Sequence, residues 1–216
     1  MLTIYGRRNS ANVQVAMWTI HELGLEHRRI DVGIGHASPQ EPDYLAKNPM
    51  GLVPTLEDGD TTLWESAAIM RYLAASHGDN TFWPSDPRQR APLDTWAEWG
   101  KNTFARAILD IFSDEVRVHP DLRKPEDLDR MSERAAALAT ILSDHLSSRN
   151  HIAGEDFTFA DIAVGHILYR YHTLDWPRPT LPVIDAYYAR LQERPAFRDH
   201  VMVNYDDLRG LYPDPE

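Results

Sequence analysis

The 216-residue sequence has no cysteine. That absence excludes disulfide scaffolds, Cys-ligated zinc or iron–sulfur centres, and any thiol nucleophile supplied by the chain itself. No apolar run reaches the roughly 18 residues that a membrane-spanning helix needs. Basic charge is also scarce, with 22 Lys+Arg against 33 Asp+Glu and a net charge of −11. A chain this acidic is repelled by phosphate backbones and anionic membranes unless a basic patch offsets it. The densest basic groups are pairs, Arg7-Arg8 and Arg28-Arg29, so neither nucleic acid nor membrane is expected as a partner. Familiar catalytic motifs are missing too. The ten histidines are scattered, with no His-Glu-x-x-His pair, and no metal site is expected. Gly33-Ile34-Gly35 lacks the third glycine of a nucleotide cradle. There is no Gly-x-Ser-x-Gly elbow. The amino terminus runs from Met1 directly into the strand-like Leu2-Thr3-Ile4-Tyr5, without the apolar segment of a signal peptide, and the expected location is cytoplasmic.

What is present divides at a proline-rich stretch. Residues 1–80 alternate short strands and helices. A strand is expected at 2–5, and a helix at 12–23, where Val13, Ala16, Met17 and Ile20 follow helical spacing. A second strand is expected at 28–32, and a loop with a short helix near residues 44–47 follows. Two further strands flank the hairpin turn Asp58-Gly59-Asp60, and a helix is expected from Ser66. Residues 81–91 have the composition of a linker, with Pro84 and Pro87 inside and Pro92 just beyond. Residues 92–216 read as helical throughout. Long helices are expected over 96–112 and 128–146, and shorter ones over 161–174 and 183–192. The expected class is therefore an α/β domain followed by an all-α domain.

Three clusters offer polar groups where chemistry needs them. Ser10 and Asn12 stand at the start of the first helix; either one caps it, or its side chain faces an anion held at the helix N-terminus. A thiolate is such an anion, and without cysteine it has to arrive on a ligand. Pro54 follows Val53 at the edge of a strand; either it is an ordinary loop proline, or it turns the Val53 backbone outward to pair with a peptide-like ligand. Glu65 and Ser66 open the next helix. They act as a charge and an N-cap there, or they match the ammonium and carboxylate of an α-amino-acid head group. Thr158-Phe159-Ala160-Asp161 reads as a capping box flanked by apolar residues, with Asp in place of the usual Glu, and its role is structural.

Taken together these residues resemble the cytosolic glutathione transferases, and the resemblance spans nearly the whole chain. Asn48-Pro49-Met50-Gly51-Leu52-Val53-Pro54-Thr55 with Trp64-Glu65-Ser66-Ala67 is similar to the family's glutathione-binding core. Phe157-Thr158-Phe159-Ala160-Asp161-Ile162 resembles its helical-domain folding motif, and Arg190-Leu191-Gln192-Glu193-Arg194-Pro195-Ala196-Phe197 its carboxy-terminal signature. The resemblance implies a thioredoxin-like amino-terminal domain, an all-helical second domain, a homodimer and a detoxifying activity. It implies glutathione as cosubstrate, with no other cofactor, and a small hydrophobic electrophile as the second substrate.

Ser10-Ala11-Asn12-Val13 looks like the serine-type first loop. By that resemblance Ser10 donates to the sulfur, Asn12 is a second donor, and Tyr5 is a rival for Ser10's role. Val53, beside a cis Pro54, pairs through its backbone, while Glu65 and Ser66 hold the γ-glutamyl end. His36 and Gln40 are candidates for the glycyl carboxylate, in a loop that aligns poorly. Leu52 stands where some classes place a polar contact. Trp99, Thr103 and Arg106 are the candidate electrophile wall. Two other activities use the same residues: glutathione-dependent disulfide or peroxide reduction, and non-catalytic ligand binding.

Overall fold

Four strands form one sheet in the order β2-β1-β3-β4 in the computed structural model, which describes residues 1–211. β1 (Leu2–Tyr5) pairs in parallel with β2 (His27–Ile30) and antiparallel with β3 (Thr55–Asp58). β3 continues into β4 (Thr61–Trp64) through the expected hairpin, whose Gly59 takes φ +57°, a conformation open to a residue without Cβ. Strand alternation divides the sheet. Leu2, Ile4 and Leu56 point to one face, where they pack with Val13, Ala16, Met17 and Ile20 of α1 (Ala11–Glu22) and Ile69 and Leu73 of α3 (Ser66–His77). Tyr5 therefore points to the opposite face, where it meets Tyr44 of the one-turn α2 (Pro42–Leu45) edge-on at 6.2 Å.

The chain forms two compact units, Met1–Arg90 with Pro195–Val203, and Ala91–Arg194 with the residues from Asn204 on. The segment 195–203 contains α10 (Pro195–His200), a helix that the sequence reading did not anticipate. Its fully buried Phe197 meets Trp18 of α1 edge-on at 4.9 Å. Arg8 donates to the Asp199 carbonyl at 2.8 Å, and His200 Nε2 lies 2.8 Å from His21 Nδ1. Burial first, and then the neighbouring His21, lower the His200 pKa to about 4. The unfolded chain titrates this group near the ordinary histidine value, so between about pH 6.5 and 4 it holds a proton that the folded state does not. Stability should therefore fall as pH drops through that window. Urea midpoints at pH 7 and pH 5 should differ less for His200→Gln than for the wild type.

The second unit is helical: α4 (Pro87–Trp99), α5 (Ala105–Phe112), α6 (Pro125–Leu146), α7 (Phe159–Gly165), α8 (Leu168–Thr173) and α9 (Pro182–Gln192). Three expectations are revised. Helix begins at Pro87, inside the stretch read as linker, because proline suits a first helical turn, and it continues through Pro92. The expected continuous helix over 96–112 carries a π turn at Gly100–Phe104. The expected helix over 161–174 breaks at His166. Its buried imidazole donates from Nδ1 to the Ala163 carbonyl at 2.9 Å, the acceptor that the Ile167 N–H would meet in a continued helix.

The π turn sits where α7 comes closest. A Cβ on Gly100 would lie 2.8 Å from Val164 Cγ2 and 2.9 Å from the Ala163 carbonyl oxygen. Gly100→Ala should consequently cost about 1–3 kcal/mol through overpacking, despite the better helix propensity of alanine, as read by chemical denaturation.

Candidate functional site

Ser10 precedes α1 in extended backbone (φ −79°, ψ 123°), the geometry of an N-cap, yet its side chain makes no capping bond. Its hydroxyl has no partner among the described residues, and the residue is only 9% exposed. The capping alternative thus does not use the hydroxyl, which stays available at the positive end of the α1 dipole. In the first turn of that helix, Asn12 Oδ1 lies 3.5 Å from the Ser66 hydroxyl, which donates to it. Ser66 is the first residue of α3 and Glu65 is the N-cap, reversing the order that the capping alternative assumed. Glu65 takes φ +69°, the one non-glycine residue with positive φ among those described. Its exposed carboxylate has no partner among the described residues, and its carbonyl accepts from Ile69 N–H at 2.9 Å. Two helix N-termini, Ser10, Asn12, Glu65 and Ser66 therefore converge on one place in the first unit.

The Val53–Pro54 bond is cis. Val53's own N–H and C=O have no partner among the described residues, leaving one donor and one acceptor for an extended chain. This turn is braced by residues to which the sequence reading gave no role. Tyr44 donates to the Leu52 carbonyl at 2.6 Å, and the Asn48 amide donates to the same carbonyl at 2.8 Å. Both also reach the Thr55 hydroxyl, at 2.9 and 3.2 Å. Tyr44, Asn48 and Thr55 are buried. The signal that could have found them is Asn48 lying inside the recognised core motif, with a tyrosine one helical turn before it. Gln40 donates from Nε2 to the Gly51 carbonyl at 3.0 Å and helps hold the same loop. His36 is exposed, and its ring is unpartnered among the described residues.

Tyr5, the rival for Ser10's role, has its hydroxyl committed. It donates to Glu57 Oε2 at 2.6 Å, and Glu57 is ion-paired with Lys47. Lys47 and Tyr5 hold the Glu57 carboxyl below the usual carboxylate range, while burial and then Glu57 push the Tyr5 phenol upward. A phenol donating to a carboxylate on the far face of the sheet from α1 is placed to brace α2 against β1 and β3.

The three electrophile candidates fall in three successive segments: Trp99 ends α4, Thr103 lies in the π turn and Arg106 is in α5. In a regular helix Thr103 would lie above Trp99, but the π turn brings Phe104 there instead. The Trp99 and Phe104 rings stack at 5.4 Å with 4° between their planes, and Trp96 closes on Trp99 edge-on at 5.1 Å. Trp99 is thereby part of the packing of the second unit. Thr103 is half-buried, and Arg106 is largely exposed and paired with Asp110 at 2.8 Å. Among the described residues no helix is long and apolar enough to cross a membrane, and no three His, Asp or Glu side chains converge as metal ligands would.

Comparison with known proteins identifies the family. The glutathione S-transferase N-terminal domain family matches residues 1–75, and the glutathione S-transferase C-terminal domain family matches residues 125–200. Glutathione S-transferase GstB of Escherichia coli is 37% identical over 94% of this chain and 99% of its own length. Glutathione S-transferase 3 of Zea mays is 31% identical over 93% of each chain. The crystal structure of the theta class glutathione S-transferase from Xanthomonas axonopodis pv. citri with glutathione bound superposes with a TM-score of 0.89 at 37% identity, covering 94% of this chain and 98% of that one. With its mixed four-stranded sheet, its helical second unit and these relatives, the chain belongs to the glutathione S-transferase family and is a glutathione transferase.

Proposed function

We propose that the protein joins the glutathione thiolate to small hydrophobic electrophiles, with the Ser10 hydroxyl donating to the sulfur. The observation that carries this reading is the Ser10 hydroxyl itself: unpartnered among the described residues, at a helix N-terminus, while Tyr5's hydroxyl is bound to Glu57. An ordinary serine is too weak a base to take the thiol proton, so Ser10 acts as a donor that stabilises the thiolate and the proton leaves to solvent. The thiolate then forms a C–S bond as a leaving group departs, or as charge moves onto a conjugated acceptor. Asn12 supplies a second donor.

Glutathione's cysteinyl backbone pairs with Val53 beside Pro54, its γ-glutamyl ammonium with Glu65, and its γ-glutamyl carboxylate with Ser66 and the α3 N-terminus. His36 and Gln40 lie in the loop that would meet the glycyl end; one Gln40 N–H is used by the Gly51 carbonyl, and the other remains to donate to a carboxylate. The electrophile is assigned to the helical unit, to Thr103 and Arg106 more than to Trp99. A homodimer working in the cytoplasm is part of the same reading.

The test compares three rates with glutathione: substitution on an activated aryl halide, reduction of a small disulfide, and reduction of a hydroperoxide. Conjugation at least tenfold above the other two, and dependent on Ser10, is the expected result. Faster disulfide or peroxide reduction would replace the reading with a reductase, and saturable binding without turnover would replace it with a carrier. Tyr5→Phe should leave conjugation within about twofold of wild type and cost about 1–2 kcal/mol of stability, because it strips one bond from Glu57. A loss of tenfold or more in Tyr5→Phe, with stability kept, would move the donor role to Tyr5.

A further inference from the structure

The Leu52 carbonyl is held by two side chains where one donor would satisfy it. Tyr44 and Asn48 stand one helical turn apart, and Asn48 N–H donates to the Tyr44 carbonyl at 2.9 Å, so their side chains lie next to each other. Met50 N–H donates to Asn48 Oδ1 at 3.0 Å, which fixes the orientation of the amide and leaves Nδ2 facing Leu52. The hydrogens then balance. The Tyr44 hydroxyl gives its proton to the Leu52 carbonyl and accepts from the Thr55 hydroxyl. The two Asn48 N–H groups go to the Leu52 carbonyl and to the Thr55 oxygen. Both lone pairs of the Leu52 oxygen are filled. Burial pushes the Tyr44 phenol up from its ordinary value, so the hydroxyl keeps its proton at neutral pH. Tyr44, Asn48 and Thr55 are 6%, 2% and 0% exposed, so water does not compete for this ring of bonds.

The oxygen held in this way belongs to the peptide unit whose N–H is that of Val53. The Leu52–Val53 bond is trans, since Val53–Pro54 is the one cis peptide among the described residues. In a planar trans unit the C=O and the N–H point in opposite directions. Drawing the Leu52 oxygen into the buried ring therefore aims the Val53 N–H away from it. We propose that Tyr44 is a positioning residue for glutathione: through the Leu52 carbonyl, its hydroxyl aims the Val53 N–H at the cysteinyl carbonyl of the ligand. The role rests on the pairing of glutathione with the Val53 backbone proposed above. With only Asn48 left as donor, the peptide unit can rock about its flanking torsions, and the Val53 N–H meets its acceptor in a smaller fraction of the ensemble. Tyr44 touches neither the sulfur nor Ser10, so its effect falls on binding and not on the thiolate.

The experiment measures Kd for glutathione by calorimetry, kcat and KM at saturating electrophile, the thiol titration of bound glutathione, and urea midpoints. It uses wild type, Tyr44→Phe and Tyr72→Phe. Tyr72→Phe is the control for stability, because it also strips a phenol bond from the first unit, to Asp58 at 2.8 Å, far from the Leu52 carbonyl in the hydrogen-bond pattern. Tyr44→Phe should raise Kd and KM for glutathione about fivefold, with kcat within about twofold and the bound thiol titrating as in wild type. Tyr72→Phe should leave Kd within about twofold. An unchanged Kd in Tyr44→Phe, an equal rise in Tyr72→Phe, or a loss that falls on kcat with KM kept would each overturn the proposal. A glutathione analogue with an ester in place of its γ-glutamyl amide lacks the N–H that the Val53 carbonyl would accept. It should bind wild type about tenfold more weakly than glutathione. Equal binding of the two would sink the Val53 pairing itself, and the role of Tyr44 with it; weaker binding of the analogue beside an unchanged Kd in Tyr44→Phe would overturn the role of Tyr44 alone.

Discussion

Replacing Ser10 with alanine should move the pKa of the bound glutathione thiol up toward about 8.5–9 and cut kcat/KM by roughly one to three decades. The direction follows from which protonation state the hydroxyl stabilises. Ser10 has no competing partner among the described residues, so in the proposed reading its proton is available to the sulfur and favours the thiolate over the thiol. Removing it leaves the α1 N-terminus and Asn12, and for that reason some stabilisation should persist. The loss should fall mainly on kcat, because the proposed peptide contacts at Glu65, Ser66 and the Val53 backbone are untouched. Ser10→Thr keeps a hydroxyl and should retain most of the thiol shift. An unchanged titration in Ser10→Ala, with turnover kept, would remove Ser10 from the chemistry.

How much of this site could be read in advance varied with the range of the interaction. Ser10, Asn12, Val53, Pro54, Glu65 and Ser66 stand in short motifs whose chemistry is local, and the structure places Ser10, Asn12, Glu65 and Ser66 at two helix N-termini joined by the Ser66–Asn12 bond. The hairpin was legible because Asp58-Gly59-Asp60 states its own turn. What stayed hidden depends on partners far along the chain. Tyr5 and Ser10 are both near the first helix in sequence, and only the sheet separates them. Once Ile4 faces α1, Tyr5 must face α2, where the β1–β3 register puts Glu57 within reach. Tyr44 reads as one residue of a short helix, and its bond to Leu52 appears only when the loop closes over it. The helical run over 96–112 has the right spacing for one uninterrupted helix. The π turn at Gly100 coincides with the approach of Val164, 64 positions away, and that one extra residue brings Phe104 rather than Thr103 onto Trp99.

Replacing Asp161 with alanine should be the most damaging single change to stability, at about 3–5 kcal/mol. Asp161 is fully buried, and its two carboxylate oxygens serve four donors. Oδ1 accepts from Ile152 N–H at 2.9 Å and from the Tyr187 hydroxyl at 2.8 Å. Oδ2 accepts from Thr158 N–H at 2.8 Å and from the Thr158 hydroxyl at 3.3 Å. With Thr158 Oγ accepting from Ala160 N–H, this is a closed capping box at the start of α7, tied to α9 through Tyr187. Alanine leaves the Ile152 and Thr158 N–H groups and the Tyr187 hydroxyl buried without acceptors, each at about 1–3 kcal/mol before relaxation. For a chain of this size the thermal midpoint should drop by roughly 6–20 °C. Tyr187→Phe removes one donor and no acceptor, so it should cost only about 1 kcal/mol. Asp161→Asn keeps one oxygen but turns an amide N–H toward existing donors, and should fall between the two. A loss under about 1 kcal/mol in Asp161→Ala would mean that water or a shifted side chain replaces the carboxylate. The chemistry offers an independent check. At a temperature where Asp161→Ala remains folded, its bound glutathione should titrate as in wild type, because the network fixes a helix start in the second unit and Ser10 lies in the first.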